Sequence, residues 1–203
     1  MHTDDNLRLE LNNIAAGYGA RKVLPELTLT LRGGETLVVA GANGSGKSTL
    51  LRLICGLQRP TAGTITYIVG DRRARPEEAR DLVGWVAPDL QLYRELTALE
   101  NLEFFAQVRG LRRTRAELEA LLEGIGLGGR GDDLLAAYSS GMAQRLRYTY
   151  ALLHRPPVLL LDERGAALVE QVVAAQRERG ITIIATNDPR ELRFGDYVLR
   201  LGQ

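Results

Sequence analysis

The sequence predicts an α/β fold in which apolar strands and helices alternate along the chain, with a helical segment inserted among them. An apolar strand, Thr36–Ala40, leads through a glycine-rich turn into a helix-like run that ends before Gly56. The run Val158–Leu161 is fully apolar, as is typical of a strand buried on both faces of a parallel sheet. The alternation of strand, helix and strand around these runs indicates crossover connections.

Each predicted element has its own signal in the sequence. Alternating or apolar runs between turn residues predict strands at residues 7–15, 27–31, 36–40, 64–69, 158–161, 181–186 and 197–201. Apolar residues at helical spacing predict helices at residues 49–55, 141–153 and 166–179, and a helical segment from 96 to the glycine-rich stretch 124–129. Turns are predicted at 17–19 and 60–63, and the charged stretch 71–78 is predicted to be a solvated loop that opens a short helix.

Composition narrows the class of protein. The chain has 45% hydrophobic and 25% charged residues and a formal charge of +1, which gives no reason to expect nucleic acid as a partner. Cys55 is the single cysteine, so we expect a reducing compartment and a packing role for this thiol. The polar, acidic start is unlike a secretory signal and no apolar run approaches membrane-spanning length, so we expect another chain to provide any membrane anchor.

Residues 41–48, Gly-Ala-Asn-Gly-Ser-Gly-Lys-Ser, fit the phosphate-binding loop pattern Gly-x-x-x-x-Gly-Lys-Ser. Glycines let the backbone curl around phosphate oxygens, and the following helix directs its amides and positive dipole end at the anion. Lys47 is expected to reach the β- and γ-phosphates, and the Ser48 hydroxyl is placed to coordinate Mg²⁺. The alternative is a strand-to-helix turn that binds nothing. The predicted nucleotide ligands here are Gly41, Asn43, Gly44, Ser45, Gly46, Lys47, Ser48 and Thr49.

An acid pair, Asp162 and Glu163, ends the apolar strand 158–161. On a sheet that carries a phosphate loop, Asp162 would hold the metal, directly or through water, and Glu163 would polarise the attacking water. By itself, such a pair is also a common way for a strand to end. We therefore predict Asp162 as a metal ligand, with Ser48, and Glu163 as a catalytic residue, with Lys47.

Residues 138–145, Tyr-Ser-Ser-Gly-Met-Ala-Gln-Arg, resemble the signature motif of ATP-binding-cassette (ABC) ATPases in a variant form. Ser139 and Gly141 match the motif, whereas Ser140 replaces its first glycine and Met142 its usual glutamine. In that family the signature opens a helix and meets the γ-phosphate bound by a second subunit. The resemblance implies that these four residues contact ATP in a nucleotide-dependent, head-to-tail homodimer. A helix capped by Ser139 or Ser140 is the plainer interpretation, and both can hold together.

The resemblance covers nearly the whole chain. It implies a single nucleotide-binding domain, 1–203, with a P-loop NTPase core of the ABC ATPase type (about 1–90 and 145–203), an antiparallel β subdomain and an inserted helical subdomain (about 91–144). Tyr18 matches the aromatic residue that stacks on adenine. The family implies ATP and Mg²⁺ as ligands, transmembrane permease subunits as partners, and a place on the cytoplasmic face of the cell membrane. Within the family the chain is most similar to small haem-exporter ATPases of cytochrome c maturation.

Three features depart from the family pattern. Pro88 stands where the family has a glutamine that senses Mg²⁺ and the transporter, with Gln91 nearby as a possible substitute. Asn187 stands where the family has a switch histidine and is assigned here as a catalytic residue, although an amide carries no charge. After Glu163 the proline-containing loop of the dimer interface is missing, either from the natural protein or from this chain.

These observations leave three hypotheses. The first is an ATP-hydrolysing subunit that drives a membrane transporter. The second is a cassette that binds ATP but does not hydrolyse it and acts as a regulator, which the three departures motivate. The third is a cassette that acts on ribosomes or DNA, which is disfavoured because the chain shows no long basic or coiled-coil extension.

Overall fold

The computed structural model describes residues 6–19, 21–87, 90–162 and 166–202. The chain divides into two compact units, one formed by residues 1–85 with 157–203 and the other by residues 86–156. The predicted limits of the nucleotide-binding domain and of its helical subdomain stay predictions.

The described residues form strands and helices in a mixed order. The strands are β1 (Leu7–Tyr18), β2 (Arg21–Arg32), β3 (Thr36–Ala40), β4 (Ala62–Val69), β5 (Arg72–Ala74), β6 (Val83–Val86), β7 (Val158–Leu161), β8 (Ile181–Thr186) and β9 (Tyr197–Arg200). The helices are α1 (Lys47–Ile54), α2 (Ala98–Val108), α3 (Arg115–Gly124), α4 (Ser140–Leu152) and α5 (Ala166–Arg177). Short 3₁₀ turns lie at Pro76–Glu78, Leu135–Ala137 and Pro189–Phe194.

A four-stranded antiparallel sheet, in the order β2-β1-β4-β5, is the first layer of the larger unit in the described part of the chain. The register of the paired strands explains which side chains of this sheet share its buried face. Leu9 pairs with Leu31 on one side and with Tyr67 on the other, and Tyr67 pairs with Ala74. All four side chains are buried, because residues in register across a sheet point to the same face. The Tyr67 hydroxyl donates a 2.6 Å hydrogen bond to the Ile54 carbonyl, which ties this sheet to the end of α1.

The second sheet has the order β6-β7-β8-β3-β9 among the described residues, and β3 pairs in parallel with both β8 and β9. β7 also runs parallel to β8. Every residue of β3, β7 and β8 is buried, as expected for strands covered on both faces. The predicted α/β fold is therefore confirmed, including its parallel sheet and its antiparallel β layer.

Several predicted boundaries were wrong. The first strand does not end at residue 15, since Gly17 and Tyr18 still pair with Lys22 and Arg21, and the predicted turn at 17–19 is the end of a hairpin. Part of the predicted loop 71–78 is strand β5, which pairs with β4. Its sequence is Arg-Arg-Ala, with only Ala74 buried, so the segment lacks the hydrophobic alternation that predicts a strand. Strand β6, Val-Gly-Trp-Val, was also missed, because Gly84 interrupts its apolar run, whereas the equally short β7 is apolar throughout.

The helical unit folds around α2, α3 and α4. Thr97 and Glu100 form a reciprocal capping box at the start of α2, and Thr114 and Glu117 do the same for α3. The three helices share one apolar core that includes Leu102, Leu118, Leu122, Leu127 and Leu146. In the described ranges, no helix combines the length and the apolar composition needed to cross a bilayer.

A buried asparagine, Asn101 on α2, fixes the chain that enters this helical unit. Its side-chain oxygen accepts a 2.8 Å hydrogen bond from the Tyr93 amide, and its amide nitrogen donates 2.9 Å bonds to the carbonyls of Tyr93 and Thr97. The side chain is fully buried, so water cannot replace these partners if it is removed.

We predict that Asn101→Ala destabilises the protein by about 2–3 kcal/mol, because it leaves buried backbone groups unpaired. The free energy of unfolding, measured by urea titration with circular dichroism, checks this value. Gln107→Ala removes an exposed amide from the same helix and is the matched control, with an expected change within about 0.5 kcal/mol. Equal losses in the two variants would contradict the structural role of Asn101.

Candidate phosphate-binding site

The phosphate loop lies at the carboxyl end of the parallel sheet. It connects β3 to α1, and β3 pairs with β8 so that Ala40 is opposite Thr186. Leu161 at the end of β7 is opposite Ile184, so the next residue, Asp162, lies near the same edge. The sheet thus brings three predicted parts of the site together: the loop, Asp162 and Asn187. In open α/β sheets this edge is where ligands bind.

The backbone of the loop needs glycine at two positions. Gly44 and Gly46 have φ angles of 81° and 101°, in the region that favours glycine. At Gly46 a Cβ would also lie 2.7 Å from the Val23 carbonyl oxygen, which no side chain tolerates. These two constraints explain why glycine stands at both positions as the loop enters α1.

The amino end of α1 is prepared for an anion. Gly46 is its N-cap residue and no side chain caps the helix, nor does its first turn contain an acidic residue. The first amides of a helix need acceptors, and here the protein offers no capping side chain. A phosphate group would supply those acceptors and would also meet the positive end of the helix dipole.

Lys47 places its ammonium across the loop. Its Nζ atom donates 2.9 Å hydrogen bonds to the carbonyl oxygens of Gly41 and Ala42. Ser48 and Thr49 follow in the first turn of α1, and Thr49 is buried. The loop itself is tightened by a 3.2 Å hydrogen bond from the Ser45 amide to the Ala42 carbonyl. The predicted phosphate ligands of residues 41–49 therefore lie together on one strand-to-helix connection.

Asp162 has the property expected of a residue near a cation. One of its carboxylate oxygens, Oδ2, is buried and has no hydrogen-bond partner among the described residues. Buried carboxylate oxygens without a partner are rare, and a metal ion or a metal-bound water would satisfy this one. No cluster of His, Cys, Asp and Glu suited to a metal occurs in the described residues. In proteins, Mg²⁺ is commonly bound through one or two protein oxygens together with phosphate and water. Ser48 and Asp162 are the residues that would hold it.

Asn187 is joined directly to the phosphate loop. Its Nδ2 atom donates a 3.2 Å hydrogen bond to Oδ1 of Asn43, while the Gly41 amide donates a 3.3 Å bond to the Thr186 carbonyl. The end of β8 and the residue after it therefore contact the loop through two hydrogen bonds. The side chain at 187 brings an amide, and no charge, to this place.

The variant signature lies in the helical unit at the start of α4. Ser139 is the N-cap residue, and its hydroxyl accepts a 3.2 Å hydrogen bond from the Met142 amide, whereas Ser140 is the first residue of the helix. Ser140 and Gly141 are exposed, and a Cβ at Gly141 would meet nothing within 4 Å. Next to them, burial raises the pKa of Tyr138, whose hydroxyl donates a 2.7 Å bond to the Arg130 carbonyl. The contacts within this unit thus do not explain a glycine at position 141.

Several predicted residues lie outside what the structure describes. These are Glu163, Pro88 and the side chain of Tyr18. Their roles stay predictions. Sequence reasoning also missed Val23, whose carbonyl abuts Gly46, because a contact made by a backbone atom leaves no signal in residue type.

The comparison with known proteins decides the family. A sequence profile described as "ABC transporter" matches residues 24–166. The chain belongs to the ABC transporter family.

Two bacterial relatives illustrate the similarity of this ABC protein. The linearmycin resistance ATP-binding protein LnrL of Bacillus subtilis (strain 168) is 33% identical over 191 residues, which cover 88% of this chain and 60% of LnrL. The sulfate/thiosulfate import ATP-binding protein CysA of Synechococcus elongatus is 36% identical over 175 residues, or 85% of this chain and 50% of CysA. The chain thus spans about half the length of these curated relatives.

A solved structure, that of an ATP-binding subunit of an ABC transporter, superposes with a TM-score of 0.78 at 30% identity. The superposition covers 95% of this chain and 85% of that protein. The ABC ATPase fold predicted from the sequence is therefore confirmed over most of the chain.

We predict that Lys47→Ala weakens ATP binding at least tenfold, because a charge-assisted hydrogen bond contributes about 1.5–3 kcal/mol. Isothermal titration calorimetry with ATP measures the effect. Arg52→Gln removes a positive charge from the exposed side of the same helix and is expected to leave the dissociation constant within about twofold. Unchanged affinity in Lys47→Ala would remove the assignment of this loop as the nucleotide site.

Proposed function

We propose that this chain is the ATP-binding and hydrolysing subunit of an ABC transporter and that it powers transport through separate transmembrane permease subunits. The observation that carries the proposal is the uncapped amino end of α1. It lies at the sheet edge where Asp162 has a buried carboxylate oxygen with no partner among the residues that the structure describes. The printed names of the relatives agree with it, since they describe ATP-binding proteins of export and import systems.

In this proposal the loop binds the triphosphate of ATP. The amides at the start of α1 and the Lys47 ammonium hold the phosphate oxygens, and Lys47 exchanges the carbonyls of Gly41 and Ala42 for phosphate. Ser48 and Asp162 would hold Mg²⁺, and the ion would supply positive charge to the phosphate oxygens. Tyr18 stacks on the adenine ring, as expected from the family resemblance.

Hydrolysis requires a base and a group that recognises the γ-phosphate. Glu163 follows Asp162 directly and would polarise the attacking water. Asn187 is held near the loop by Asn43 and would donate a hydrogen bond to the γ-phosphate through its amide. Both roles agree with the positions of these residues in the sequence, just after the ends of β7 and β8.

Assembly as a head-to-tail homodimer is also part of the proposal. Gly141 stands in an exposed first helical turn, where its own unit leaves room for a side chain. Glycine inside a helix costs about 0.5–1 kcal/mol relative to alanine. Alanine at position 141 would therefore stabilise the helix, and a requirement of function is needed to explain the glycine. Close approach of a nucleotide bound to a second copy accounts for the glycine. Such a subunit works on the cytoplasmic face of the membrane.

The cargo is not part of this proposal. The relatives carry names as different as linearmycin resistance, Nod factor export and sulfate import. The comparisons support the haem-exporter type no more than any of these, and it stays a prediction.

A second candidate is a cassette that binds ATP without hydrolysing it. The observation that favours it is the neutral amide pair of Asn187 and Asn43, which occupies the place of the family's histidine switch. The replacement of glutamine by Pro88 and the shortened segment after Glu163 support the same candidate.

We predict that Glu163→Gln lowers steady-state ATP hydrolysis at least about 100-fold, because a general base contributes about 10²–10⁴ to the rate. Phosphate release by the protein assembled with its permease subunits measures it. The control is Glu178→Gln, an exposed carboxylate near the end of α5, which is expected to keep the wild-type rate. Equal rates for wild type and Glu163→Gln, with ATP still bound, would favour the regulatory candidate.

We further predict that Gly141→Ala raises or preserves the melting temperature yet weakens ATP-dependent dimerisation. Light scattering with saturating ATP in a hydrolysis-deficient background measures the dimer. Gly124→Ala is the matched control, since Gly124 is also a helical glycine with nothing within 4 Å of its would-be Cβ, and it lies outside the signature. The same dimer constant in both variants would refute a contact role for Gly141.

A further inference from the structure

The segment that follows β9 runs alongside the phosphate loop. β9 pairs in parallel with β3, and the Leu201 amide extends this pairing with a 2.8 Å hydrogen bond to the Ala40 carbonyl, the last residue before the loop. At Gly41 a Cβ would lie 2.6 Å from the Leu201 carbonyl oxygen and 2.5 Å from the Ser45 hydroxyl. The loop and the segment therefore touch through backbone at the first residue of the phosphate motif.

The next residue, Gly202, touches the loop a second time. Its φ angle is 81°, and a Cβ there would lie 3.0 Å from Cβ of Ser45. The Ser45 hydroxyl is buried and has no hydrogen-bond partner among the described residues, so this contact is made by packing. Glycine at 202 thus serves two needs, a left-handed backbone and a close approach to Ser45.

The opposite side of the loop meets another backbone group. Gly46 approaches the Val23 carbonyl of β2, with 2.7 Å to a would-be Cβ. By contrast, a Cβ at Gly44 would meet nothing within 4 Å, so this glycine faces open space. The loop therefore meets backbone carbonyl groups at Gly41 and at Gly46, whereas the space beside Gly44 is free of atoms of the described residues.

We propose that Gly202, which lies outside the phosphate-loop motif, is a positioning residue that sets the curvature of the loop through Ser45. The inference rests on the proposed function, because it concerns the same nucleotide site. The loop amides bind an anion only while they converge, and hydrogen bonds weaken when donors move by tenths of an ångström or turn away. A side chain at 202 displaces Ser45 and with it the amides on either side.

The test compares ATP dissociation constants of wild type, Gly202→Ala and Gly202→Asn by calorimetry. Asparagine tolerates a left-handed backbone better than alanine, whereas both carry the Cβ that meets Ser45. We expect both variants to bind ATP at least about threefold more weakly, because misplacement of binding groups lowers affinity. Full affinity in Gly202→Asn would overturn the proposal, since backbone strain and not the Ser45 contact would then explain the alanine variant.

Gly129→Ala is the matched control for stability. Gly129 has a φ angle of 71° and open space around it, so alanine brings the same kind of strain without a collision. We expect the two alanine variants to have similar melting temperatures without nucleotide, while only Gly202→Ala loses affinity. Equal affinities in the two variants would contradict the proposal.

A double-mutant cycle with Ser45→Gly isolates the contact. Once the Ser45 Cβ is removed, Gly202→Ala is expected to cause no further loss of affinity. Additive losses of affinity from the two substitutions would overturn the proposal. This conclusion applies even if Gly202→Ala alone is less stable than wild type. If wild type itself bound no ATP, the proposed function would fail, whereas normal binding by wild type and by Gly202→Ala would refute this inference alone.

Discussion

The amino end of α1 is the constraint on which the site depends. The helix begins after Gly46 without a capping side chain, so its first amides have no side-chain acceptor at the cap, and in the proposed function a phosphate would supply one. Capping by serine or aspartate would stabilise such a helix by about 1 kcal/mol, yet it would occupy the place of the anion. The helix therefore forgoes local stability, and the packing of Leu50, Leu53 and Ile54 in the core compensates for it.

The parallel sheet turns this helix end into a site. Strands that run in parallel deliver their following residues to one edge, so β7 presents Asp162 and β8 presents Asn187 beside the loop after β3. The residues come from positions far apart in the sequence, and no local signal places them together. All residues of β3, β7 and β8 are buried, so the strands that lead to this edge are packed on both faces.

The parts of this arrangement that sequence predicts are those with a local signature. The phosphate loop combines fixed glycines with a lysine and a serine, and the buried strands are uniform apolar runs. Strand β5 was not predicted, because its pairing with β4 makes it a strand and its own sequence, Arg-Arg-Ala, does not. The contacts of Val23 and Leu201 with the loop were not predicted either. They are made by backbone carbonyl oxygens, which every residue type has. Only register and topology reveal them.

Asn187 shows how one substitution changes the electrostatics of such a site without dismantling it. An amide has two N–H donors, so Asn187 can keep its bond to Asn43 and still donate to a phosphate oxygen. A hydrogen bond from a neutral amide to an anion lacks the full charge pairing of an imidazolium, and the amide donor neither gains nor loses a proton near neutral pH. In the proposed site, positive charge at the γ-phosphate would then come from Lys47 and from the amino end of α1. Asn187 is thus held beside the loop by hydrogen bonding, and in the proposed function this position would meet the nucleotide without a charge.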